Sequence, residues 1–116
     1  SSSISRDPAV VQAYDDDPLV YRGRIKAGIA AAMVRGGQRA DDDAPGITLP
    51  MLILHGSEDL LAPPDGSRRL YERIASSDKT LKIYDGLYHE ILNEPERDQV
   101  IGDIIAWLNE RTTPAA

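Results

Sequence analysis

Cysteine and phenylalanine are absent from this 116-residue chain, and tryptophan occurs once. Without cysteine there are no disulfides and no thiolate metal sites. With aromatics at 5%, the core has to be built from Ile, Leu, Val and Ala. No apolar run approaches the ~20 residues of a membrane-spanning helix. Thirteen basic against 19 acidic residues give a net charge of −6, the opposite of the basic footprint that a nucleic-acid partner requires. The opening SSSIS has no basic-then-apolar export pattern, so the expected location is cytoplasmic or peripheral to a membrane or the cell envelope. A glycine-rich phosphate loop is missing, as is a G-x-S-x-G nucleophile elbow. The DDD triplets at 15–17 and 41–43 lack the Gly and distal Glu of a calcium loop and read as solvated turns. No His/Asp/Glu cluster has metal-ligand spacing, so neither metal nor cofactor is expected.

The hydrophobic content of 41% is that of a globular chain. Near the start, SRDPAVVQAY (5–14) carries a helix-start signature, with Asp7 as cap and Pro8 at the first helical position. Residues 19–39 predict a second helix from the spacing of Ile25, Ile29, Ala32 and Met33, ended by Gly36-Gly37. A loop is expected over 40–47. LPMLILHG (49–56) is a short continuous apolar run, the pattern of a parallel strand covered on both faces. A helix over 63–76, a strand over 80–86 and a helix over 93–111 follow. The last has an apolar stripe of Val100, Ile101, Ile104, Ile105 and Leu108. This strand–helix–strand–helix order predicts a parallel pair joined by a crossover helix, the α/β class. Two such strands do not make a stable sheet alone. The chain is therefore expected to be a piece of a larger α/β domain, with further strands upstream of Ser1.

In open parallel sheets, functional groups collect beyond the carboxyl ends of the strands. Two loops qualify. One holds Glu58 and Asp59 in LILHGSEDLLAPPDGS (53–68); the other holds Asp85, Tyr88 and His89 in LKIYDGLYHE (81–90). Neighbouring strands would bring a carboxylate and an imidazole together, and such a pair can relay a proton from a nucleophile. The plainer alternatives stand beside this. Asp59 could cap the loop or the next helix, Glu58 is expected to be solvated, and His55 is expected to pack or to bond its loop. Tyr88 and Trp107 are expected to be packing groups.

The order carboxylate loop, histidine loop, terminal helix is that of the last third of an α/β-hydrolase. More specifically, LPMLILHGSEDLLAPPDGSRRLYE, DKTLKIYDGLYHEILNEPER and ISRDPAVVQAYDDDPLVYRGRI resemble bacterial monoglyceride lipases, from about Ile4 to Arg111. The resemblance implies the C-terminal part of an α/β-hydrolase fold: residues 1–40 as the end of a cap region and its return helix, and 41–116 as the core carrying the triad acid and histidine. It places the acid on Asp59, the base on His89 and a wall of the acyl pocket at Leu61. It implies a serine hydrolase acting on monoacylglycerol or a similar small ester lipid, with peripheral contact to lipid surfaces through the cap. The nucleophilic serine and oxyanion turn of that family precede the matching segments and are expected in a missing N-terminal half, without which this segment is inactive. The alternatives are another carboxylesterase or lysophospholipase, or an inactive hydrolase-like scaffold.

Overall fold

The computed structural model describes residues 1–112. Its elements are α1 (Pro8–Asp16), α2 (Ala27–Asp43), a short 3-10 turn (Ala44–Gly46), β1 (Met51–Gly56), α3 (Asp65–Arg73), β2 (Lys79–Tyr84) and α4 (Arg97–Thr112). β1 and β2 run parallel and in register from Met51↔Lys79 to Gly56↔Tyr84, with α3 as the crossover.

Side-chain alternation along the strands divides the core into two faces. Ile53 joins Ala44 and Ile74 on one face, backed by Met51, Leu70, Tyr71 and Leu81. Tyr84, Leu87 and Val100 make the other, backed by Leu54, Ile91 and Ile104. The pair is therefore a two-stranded layer between α3 and α4. Its α4 side is only partly covered. Ile105 and Leu108 are exposed, and a groove of about 490 Å³ opens between Leu52, Leu54, Ile104 and Trp107.

α1 starts as its sequence dictates: the Asp7 carboxylate accepts from the Ala9 amide at 2.8 Å, with Pro8 in the first turn. At its other end the Arg22 guanidinium donates to the carbonyls of Tyr14 (2.7 Å) and Asp15 (2.5 Å). That use of Arg22 holds residues 17–26 in turn and extended backbone, so α2 begins at Ala27 rather than at 19. At its far end α2 also departs from expectation, because it runs through Gly36-Gly37 to Asp43 and occupies the first half of the predicted 40–47 loop. Glycine in a helix interior costs only ~1 kcal/mol relative to Ala, and tertiary bonds offset that. Arg69 and Arg73 of α3 bond the Asp41 carboxylate (3.2 Å) and carbonyl (3.0 Å), and within α2 an exposed Arg39–Asp43 pair at 3.2 Å joins one turn to the next. Neither α1 nor α2 contains a buried residue.

The segment before α1 is fastened to the loop after β2. The Glu94 carboxylate, 1% exposed, accepts from the Arg6 amide (2.9 Å) and Nε (2.6 Å). Arg6 also pairs with Glu96, the Ser5 hydroxyl donates to the Asn93 carbonyl (2.9 Å), and the Glu90 amide donates to the Ile4 carbonyl (2.8 Å).

Candidate active site

Because β1 and β2 are parallel and end in register, both following loops leave from one rim. Backbone bonds lace them together there: Ser57 N–H donates to the Tyr84 carbonyl (2.8 Å) and Glu58 N–H to the Leu87 carbonyl (3.0 Å). So close an approach requires Gly56, where a Cβ would collide with the carbonyl oxygens of Leu87 and Tyr88. The chain turns after β2 at Gly86, in the left-handed region at φ +76°, and the Gly86 amide donates to the Ser57 hydroxyl at 2.8 Å.

Asp59 is 4% exposed. Its Oδ1 accepts from the amides of Leu61 (2.8 Å) and Ala62 (2.9 Å), and its Oδ2 lies 2.8 Å from His89 Nδ1. Burial pushes the Asp59 carboxyl up, but the Ala62 amide, the His89 ring and the Leu61 amide outweigh it and hold the group below the ordinary carboxylate range. An ionised carboxylate only accepts, so Nδ1 of His89 carries the proton. The basic Nε2 then sits on a side chain that is 42% exposed, and it has no hydrogen-bond partner among the described residues. A buried anion fixing the tautomer of a half-exposed imidazole is an arrangement that can take a proton from an approaching hydroxyl and return it.

The other sequence-predicted groups take lesser places. Glu58 is exposed, as expected, and reaches the second loop through its amide alone. Leu61 is 55% exposed; it meets Asp59 through its amide, while its side chain stands on the rim. Tyr88 is half-buried and lines a cleft together with Ser5, Arg6, Pro8, Val11 and Gln12. His55 does bond its loop: its Nδ1 is 2.7 Å from Ser67 Oγ and its Nε2 is 2.6 Å from the Ala62 carbonyl. Sequence reasoning missed Gly56 as the close-approach residue and the Arg6–Glu94 pair. The first was signalled by the strand-ending H-G step; the second had no local signal.

Residues 1–96 match the family described as "Serine aminopeptidase, S33". The chain belongs to this family. It is 47% identical over 108 residues to a monoacylglycerol lipase of Mycolicibacterium smegmatis, covering 93% of this chain and 39% of that protein. Among solved structures it superposes on the Paleococcus ferrophilus monoacylglycerol lipase with a TM-score of 0.88 at 36% identity, covering 96% of this chain and 43% of that one. A soluble variant of the Saccharomyces cerevisiae monoglyceride lipase, in complex with a substrate analog, superposes with a TM-score of 0.81 at 28% identity, covering 97% and 40%. This family member therefore spans about two fifths of the length of its relatives. Its β1–α3–β2–α4 unit is the C-terminal part of an α/β-hydrolase fold.

Proposed function

We propose that this segment supplies the acid and the base of a serine hydrolase that cleaves monoacylglycerols to fatty acid and glycerol. Residues 1–40 form the closing leg of its cap, and residues 41–116, of which 113–116 lie outside the described residues, belong to its core. The nucleophilic serine comes from the remaining part of the domain. Nε2 of His89 takes the serine Oγ proton as Oγ bonds to the ester carbonyl carbon. Asp59 stabilises the imidazolium through Nδ1. The proton then passes to the glycerol oxygen as the C–O bond breaks, leaving an acyl-serine. Water, deprotonated by the same Nε2, adds to the acyl carbon; the acyl–Oγ bond then breaks as Oγ takes the proton back from Nε2, and the fatty acid is released. No metal or cofactor takes part. Leu61, which is exposed, forms a wall of the acyl pocket in this reading.

The observation that carries this reading is the 2.8 Å contact between the buried Asp59 and the Nδ1 of a half-exposed His89. Relatives whose names specify monoacylglycerol or monoglyceride as substrate support the choice of ester. The test uses the full-length protein that carries this segment. It should be labelled by a fluorophosphonate, and His89→Ala should abolish labelling. It should hydrolyse monoacylglycerol in preference to lysophospholipid and triacylglycerol. Labelling that survives His89→Ala would refute the role of His89; a preference for lysophospholipid would refute the substrate.

A further inference from the structure

We propose that the Arg6–Glu94 pair is a positioning device for His89, setting the base through its backbone and tying it to α1; this rests on the catalytic reading of Asp59–His89. From Asp85 to Glu96 the chain has neither helix nor strand, so His89 takes its place from the bonds this irregular segment makes to others. On the near side, the Leu87 carbonyl accepts from the Glu58 amide of the acid loop at 3.0 Å. On the far side, the amide of Glu90, the next residue, donates to the Ile4 carbonyl at 2.8 Å. One anchor therefore comes from the loop of the acid, and the other from the segment before α1.

Three successive residues of that segment bond the His89 loop. Ile4 takes the Glu90 amide, Ser5 donates to the Asn93 carbonyl (2.9 Å), and Arg6 gives both its amide (2.9 Å) and its Nε (2.6 Å) to the buried Glu94 carboxylate. A carboxylate that grips the backbone and the side chain of one residue fixes the orientation of that residue, and with it the Ile4 carbonyl two positions back. Stability alone does not explain this choice of residues, because an apolar pair of similar volume would hold such a site as well or better; what the ion pair adds is direction. The same segment starts α1: the Asp7 amide donates to the Ser5 hydroxyl at 3.0 Å, and the Asp7 carboxylate caps the helix. A tilt of α1 is thereby passed through Arg6 and Glu94 to the backbone beside His89. A shift of ~1 Å in a catalytic group costs on the order of 10²-fold in rate, so a small movement of this leg decides whether the base is in reach.

The experiment measures kcat, KM and thermal unfolding of the full-length protein carrying Arg6→Ala, Glu94→Gln, both together, Arg111→Ala or His89→Ala. Arg111→Ala removes an ion pair, to Asp78, at the opposite end of the strands, and is the control for loss of stability alone. Arg6→Ala should lower kcat by about tenfold with KM within about threefold, the pattern of a group whose placement matters only in the transition state. The double variant should lose no more kcat than the worse single variant, because the two side chains act as a unit. A loss of kcat below about fivefold in Arg6→Ala, or one carried by KM, would overturn the proposal and leave the pair as a fastener of the fold; so would single losses that add in the double variant. Should Arg6→Ala give no folded protein, the double variant, in which no unpaired carboxylate stays buried, is read against Arg111→Ala by the same threshold. Full activity in His89→Ala would instead sink the catalytic reading itself. Loss of activity there beside an undiminished Arg6→Ala sinks this proposal alone, so the two failures are separable.

Discussion

The two ends of the β1–β2 pair use charge in opposite ways. At the amino ends, Asp78 and Arg111 are matched to each other and Lys79 is spent on a helix terminus. Arg111 grips Asp78 through two bonds of 2.8 and 2.5 Å and lies over the Trp107 ring at 3.9 Å. Lys79 Nζ donates to the carbonyls of Tyr71 and Ile74, closing the end of α3. At the carboxyl ends, a buried carboxylate is held by two amides and one imidazole, with no Lys or Arg among its hydrogen-bond partners. An anion held by polarisable, titratable partners can respond to a proton; one locked against a guanidinium cannot. The amino end thus fastens the fold, and the carboxyl end carries the acid–imidazole pair proposed above to move protons.

The comparison breaks first at Asp59. In the full-length protein, Asp59→Asn should lower kcat by about 10⁴ with little change in far-UV circular dichroism; a loss of less than tenfold would erase the distinction between the two ends. Next is Gly56→Ala, which drives a methyl into two backbone carbonyls that cannot move independently. It should cost about 1–3 kcal/mol in urea unfolding and lower activity, because the same step aligns both loops. Acid sharpens the comparison further. The folded-state pKa of Asp59 lies below its unfolded value of about 3.9. Its contribution to stability is therefore present above that value and lost as pH falls through the folded one. Asp59→Asn should accordingly lose less stability than the parent between pH 5 and pH 3, about the window in which carboxylates titrate, as read from urea midpoints. The smallest effect is expected at the other end: Arg111→Ala should lower Tm by a few degrees and leave kcat unchanged.

Much of this architecture was legible because its signals are local. The apolar run MLIL followed by H-G marks β1, Asp7-Pro8 marks α1, and the strand–helix–strand order forces a parallel pair whose loops share a rim. The errors fall where tertiary bonds override local preference. Gly36-Gly37 reads as a stop, yet α3 reaches across with Arg69 and Arg73 to hold the helix beyond it. Arg22 reads as part of a helix, yet it leaves helical backbone to close α1. Within the site, Asp59 and His89 stand out by residue type and loop position. His55, at the end of β1, bonds its own loop at the Ala62 carbonyl, as its position there suggested. The Arg6–Glu94 pair joins residues 88 positions apart.

The geometry of β1 has a practical consequence. Among the described residues it is hydrogen-bonded to β2 alone, so its free margin offers a row of amides and carbonyls beside the apolar groove at Leu52, Leu54 and Trp107. Such a margin is a template for intermolecular pairing. Produced in isolation, this polypeptide would self-associate into concentration-dependent species visible by light scattering.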